Sequence, residues 1–170
     1  MPVPDLRQVV AAFAADFPTR LIPPSEDTPE PQLFVDVGPD GRGRPRRLEL
    51  IFLPHDDNAY YLQLFILLPF AVVPERAAEL ARIVAAVNLK LPLVGFGMSE
   101  QDGWVFYRAV VPVPNDRELD AEVVSGAGWM AYYLVDQCAD LLEDVATGAK
   151  TFAEGRHAFE QVLIGQPSLP

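Results

Sequence analysis

Between Leu33 and Leu68, three successive runs carry a large apolar residue at every second position. Leu33, Val35 and Val37 alternate with Phe34 and Asp36, and Leu48, Leu50 and Phe52 alternate with Glu49, Ile51 and Leu53. Leu62, Leu64, Ile66 and Leu68 then alternate with Tyr61, Gln63, Phe65 and Leu67. A period of two puts alternate side chains on opposite faces of a strand. The separators, Gly38-Pro39-Asp40-Gly41 and Pro54-His55-Asp56-Asp57-Asn58, are turn chemistry. A parallel neighbour would need a crossover of about a dozen residues. These three strands therefore pair antiparallel.

Helical spacing brackets the meander. Leu6, Val9, Val10, Phe13 and Phe17 follow Pro4-Asp5 and stop before Pro18. Residues 18–31 then hold five prolines, a composition that excludes helix and central strand and reads as an extended connector. Pro74 opens a second helix with Leu80, Ile83, Val84, Val87 and Leu91 on one face, and Pro92 closes it. Two further strands, Leu93–Met98 and Trp104–Val111, join through Asp102-Gly103. A long helix is expected over about Asp116–Val145, with Val123, Met130, Tyr133, Leu134, Leu141 and Leu142 as its inner face. Gly126 and Gly128 interrupt it, which implies either a break or a close backbone approach by the sheet or another subunit. Thr151 and Glu154 form a capping box before a short last helix carrying Phe159, Val162 and Leu163 and ending at Gly165, within a tail over 149–170. The expected fold is α+β: a five-stranded antiparallel sheet packed on helices in the order α-β-β-β-α-β-β-α, plus the short C-terminal helix. With 170 residues and no internal repeat, one domain over 1–170 is expected.

Composition narrows the function classes. Half the residues are hydrophobic and 22% are charged, the balance of a globular chain. The net charge of -11 disfavours general binding to phosphate backbones and anionic membranes. The lone Cys138 cannot form an internal disulfide, and two histidines leave little for metal or general-base chemistry. The N-terminus lacks the pattern of a secretory signal, and the longest apolar run, Leu64–Val73, is ten residues broken by Pro69. A spanning helix takes about 20. A cytoplasmic protein without a membrane span is the expectation.

A family resemblance rests on Leu62–Pro69, Asn88, Gly95-Phe96, Asp102-Gly103 with Val105 and Tyr107-Arg108, and Asp136. In element order, size and acidity the chain resembles the type III secretion chaperone-like fold, and in particular the YbjN-domain proteins. The likeness is detailed over about Leu48–Val145. It implies a non-enzymatic, often dimeric protein that binds other proteins or acts in regulation.

The strands carry apolar residues on both faces. Around Asp36, Glu49, Gln63 and Arg108, the second face presents Phe34, Ile51, Leu53, Phe65, Leu67 and Trp104 or Phe106. Monomers seldom expose more than a few hundred Å² of contiguous apolar surface. Three covers are open: the chain's own tail or connector, a second copy, or a client segment. The second and third are what the resemblance implies. Phe34, Ile51, Leu53, Phe65, Leu67 and Phe106 are the candidate partner-binding residues.

Four arginines, Arg42, Arg44, Arg46 and Arg47, fall within six residues, and the rest of the chain without them stands at -15. Arg42-Gly43-Arg44-Pro45 is similar to the core of an AT-hook, which enters an A·T minor groove as extended backbone. The alternatives are a solvated hairpin or an anionic partner segment. His55-Asp56-Asp57-Asn58 is turn vocabulary before it is a metal site, because contiguous ligands on a tight turn diverge. Glu154-x-x-His157 is half of a di-iron motif with no second copy. Cys138 sits among Asp136, Asp140, Glu143 and Asp144, an acidic setting that opposes a reactive thiolate. No phosphate-loop or dinucleotide spacing is present. The sequence calls for no catalytic residue, metal or cofactor.

Overall fold

A computed structural model describes residues 5–26, 28–53, 59–114 and 119–164. Its elements are α1 (Arg7–Ala14), β1 (Thr19–Ile22), β2 (Gln32–Pro39), β3 (Pro45–Leu53), β4 (Ala59–Ala71), a 3-10 turn at Pro74–Arg76, α2 (Ala77–Asn88), β5 (Phe96–Ser99), β6 (Trp104–Pro114), α3 (Ala121–Ala146) and α4 (Phe152–Ile164). The class is α+β with an antiparallel sheet, as the alternation predicts. The sheet has six strands rather than five, in the order β1-β2-β3-β4-β6-β5.

The added strand lies inside the proline-rich segment. Thr19–Ile22 pairs with β2 through Thr19↔Val35, Arg20↔Phe34, Leu21↔Leu33 and Ile22↔Gln32. Prolines exclude a central strand, but the four residues between Pro18 and Pro23 keep their amide donors, and an edge strand needs only one partner. The remainder of the connector has no regular structure where described.

The chain forms two compact units, each assembled from separate stretches: residues 1–67 with 108–132, and 68–107 with 133–170. In the first unit, Leu33, Val35, Leu48, Leu50, Leu62, Leu64 and Ile66 form the buried face of β2–β4, and Leu6, Val9 and Phe13 of α1 join the same core. The start of α3 seats on that face. The hydroxyl of Tyr132 donates to the carbonyl of Val35 at 3.2 Å, and burial pushes this phenol's pKa up. Gly128 comes so close to Phe13 and Leu48 that a Cβ would sit 2.8 Å from the Phe13 ring. Close packing against the sheet is thus what this glycine serves, and α3 is unbroken through both glycines.

In the second unit, Leu80, Ile83, Val84 and Val87 of α2 share a core with Leu141, Leu142 and Val145 of α3 and Phe159 of α4. Asn88 ties the end of α2 to β5: its Nδ2 donates to the Phe96 carbonyl at 2.8 Å, and its Oδ1 accepts from the Phe96 amide at 3.1 Å. α4 docks on α2. Glu79 accepts from the Phe152 amide at 3.0 Å, the Arg82 guanidinium lies 3.9 Å from the Phe152 ring centroid, and Thr151 and Glu154 form the expected capping box. Among the described residues, no helix is long and apolar enough to cross a membrane.

Candidate functional site: the outer face of the sheet

The alternation that buries one face of β2–β4 leaves the other to Gln32, Phe34, Asp36, Glu49, Ile51, Leu53, Tyr61, Gln63, Phe65 and Leu67. None of these ten is buried: nine are half-buried and Leu67 is 45% exposed. The strand register sets them in rows. Arg20, Phe34, Glu49 and Phe65 lie side by side across β1–β4, followed by Ile22, Gln32, Ile51 and Gln63, then Leu53 beside Tyr61. Five of the six expected partner-binding residues, Phe34, Ile51, Leu53, Phe65 and Leu67, therefore share this face of the first unit. Phe106 belongs to the second unit, where it pairs with Gly97 and its ring lies over that residue. Tyr61 and, on β6, the 41% exposed Val110 were missed by sequence reasoning, although the same alternation marks them.

The face is more mixed in charge than the sequence suggests. The guanidinium carbons of Arg20 and Arg47 sit 5.5 Å and 5.2 Å from the Phe34 ring centroid. Arg47 also donates to Asp36 Oδ1 at 2.9 Å. Gln32 Nε2 donates to Glu49 Oε1 at 2.6 Å. Burial pushes the Glu49 carboxyl above the usual carboxylate range, against the lowering pull of the Gln32 hydrogen bond and the Arg47 charge. Two arginines and two carboxylates thus balance on this part of the face.

The arginine cluster lies on the β2–β3 hairpin. Residues Asp40–Arg44 form a closed turn instead of an extended strand. The Asp40 amide donates to the Arg44 carbonyl at 3.0 Å, the Gly43 amide donates to the Asp40 carbonyl at 2.9 Å, and Gly43 has φ +77°, a left-handed conformation that glycine alone takes without strain. Asp40 Oδ1 accepts the Arg42 and Arg44 amides at 2.9 Å each, and its Oδ2 accepts Arg44 Nε at 2.6 Å in a pair whose side chains are only 11% and 6% exposed. Burial would raise the Asp40 pKa, but these hydrogen bonds and the Arg44 charge outweigh it and hold the carboxyl below its usual value. Arg46 donates to the carbonyls of Gly38 and Pro39. Among the four arginines, Arg44, Arg46 and Arg47 make contacts that hold the β2–β3 hairpin.

The remaining chemical candidates are placed as follows. Cys138 is buried on α3, and burial pushes its thiol up to about 12, so little thiolate forms at neutral pH. His157 is exposed on α4. His55-Asp56-Asp57-Asn58 lies outside the described residues. Among the described residues, no group of three His, Cys, Asp or Glu side chains could hold a metal. The long helix corrects the sequence reading most. Leu134, Leu141 and Leu142 face the core as expected, but Val123, Met130 and Tyr133 are 55%, 39% and 46% exposed, and Val124, Ala131 and Tyr132 take the buried positions.

α4 packs on α2 within the second unit, and Thr19–Ile22 extends the sheet edge without lying across it. Neither models of known protein families nor curated proteins match this chain.

Proposed function

We propose that this protein is a non-enzymatic binding module, built like the secretion chaperones and YbjN-domain proteins it resembles, which self-associates in the cytoplasm through the outer face of β2–β4. One observation carries the reading: ten outer-face side chains, five of them among the large apolar residues expected to bind a partner, all retain solvent exposure. Burying one large apolar side chain is worth roughly 1.5–3 kcal/mol. A second copy is the favoured occupant because of charge. Two chains at -11 repel each other, whereas on this face the charges of Arg20 and Arg47 offset those of Asp36 and Glu49. An isologous contact here brings this charge-balanced patch against its own copy and keeps the rest of the acidic surface apart.

Light scattering on the eluting peak of a size-exclusion column tests the proposal with wild type, Phe65→Asp and Leu67→Asp. A dimeric wild type and monomeric, folded variants are expected; Leu67 is exposed enough that its substitution spares the fold. A wild type that stays monomeric at every concentration and binds no hydrophobic dye would overturn it.

A further inference from the structure

The first half of α3 presents a second apolar surface, and its charge differs from that of the sheet. Val123, Trp129 and Met130 are 55%, 45% and 39% exposed, and Gly126 between them has nothing within 4 Å of where a Cβ would stand. At 100° per residue, Val123, Gly126 and Met130 fall along one stripe with Trp129 on its flank. The Trp129 ring rests 5.0 Å from the Phe17 ring, which fixes it at the edge of the stripe. A glycine inside a helix costs about 1 kcal/mol relative to alanine. At Gly128 the buried Phe13 and Leu48 explain that cost, whereas at Gly126 no atom of the described residues does. The open position is a notch into which a partner side chain can descend.

Charge selects the occupant. Over residues 121–132, the part of α3 in the first unit, the helix carries Glu122 and no Lys or Arg. Exposed Asp16, at the end of α1, and Asp120, which caps α3 by accepting the Glu122 and Val123 amides, add to the same sign. A second copy of this helix would set carboxylates against carboxylates. We propose that the Val123–Gly126–Met130 stripe, with Trp129, is a docking groove for a basic amphipathic helix of another protein, whose apolar side fills the notch while its Lys or Arg residues meet the acidic rim. This site is separate from the sheet face and does not depend on self-association there.

The test uses the full chain with Trp104→Phe, so that Trp129 is the sole tryptophan reporter. The probes are an amphipathic Leu/Lys helical peptide, the same composition scrambled to destroy its apolar face, and the Leu/Glu counterpart of the first. Saturable binding of the amphipathic Leu/Lys peptide with a blue shift of Trp129 emission is expected, with at least tenfold weaker binding of the other two. Met130→Asp should lose that binding although it adds a negative charge, whereas Leu67→Asp, on the sheet face, should retain it. Equal binding of the scrambled peptide, or undiminished binding to Met130→Asp, would reduce the effect to bulk electrostatics and overturn the proposal. Absence of binding to the amphipathic peptide would also overturn it. Loss of dimerisation in Leu67→Asp with peptide binding retained separates this inference from the one above.

Discussion

Asp40 is one side chain organising a whole hairpin. Its carboxylate accepts two backbone amides and one guanidinium, and these contacts hold its pKa below the ordinary value against the opposing effect of burial. The sign follows from linkage: a carboxyl depressed on folding contributes stability above its unfolded value, and that contribution is lost as pH falls through the folded one. Asp40→Asn is therefore expected to destabilise the chain by about 1–3 kcal/mol at neutral pH, the scale of hydrogen bonds to a charged group. In acid below the ordinary Asp value of 3.8 the gap from wild type should close. Urea unfolding across that range reads both, and a gap that stays constant with pH would mean that charge is not what holds the turn. The Arg-rich string was legible in sequence, but its use was not. Asp40 lies at short range from Arg42 and Arg44, and only the turn brings one carboxylate onto all three donors.

Among the elements, α3 separates what periodicity can and cannot decide. In the strands, a period of two gives only two faces, and the buried one was read correctly at every position from Leu33 to Ile66 that the structure buries. Residues 129–135 of α3 run Trp-Met-Ala-Tyr-Tyr-Leu-Val, apolar all round the helix, so spacing alone could not choose between Tyr132 and Tyr133. Packing chose, because Tyr132 finds the Val35 carbonyl. β1 was hidden for another reason: four residues between prolines carry no alternation worth reading, and their pairing is set by the edge that β2 presents. The two glycines turn this into a measurement. Gly126→Ala meets open space and removes a helix penalty, so it should stabilise by up to about 1 kcal/mol. Gly128→Ala gains the same term but drives a methyl into the buried Phe13 and Leu48, where overpacking costs about 1–3 kcal/mol. Denaturant midpoints should rank Gly126→Ala above wild type and wild type above Gly128→Ala. The reverse order would place the close approach at the wrong glycine.

For the whole molecule, a charge of -11 makes the two proposed surfaces respond to solution conditions with opposite sign. Association of like copies is opposed by long-range repulsion that salt screens, so the dimer should strengthen as ionic strength rises; docking of a basic helix should weaken. Acid acts on the dimer through a local group as well. Glu49 stands between Phe34 and Phe65, accepts from Gln32, and has Arg47 on its own strand, Asp36 diagonally across on β2 and Gln63 diagonally across on β4; Arg20 lies at the far side of Phe34. Its carboxyl is already raised by partial burial, and covering the face removes more water from it. Closing the interface then takes up a proton, so association tightens as pH falls from neutral toward and through the raised value. Each pKa unit by which the interface lifts Glu49 is worth about tenfold per copy, hence about a hundredfold in the affinity of a symmetric dimer. Glu49→Gln keeps an acceptor for Gln32 and carries no charge to desolvate. It should dimerise more tightly than wild type at neutral pH and lose the part of the pH dependence that Glu49 contributes. Sedimentation equilibrium over pH and salt reads both effects. If Glu49→Gln dimerises with the affinity and pH profile of wild type, this face is not the one that closes.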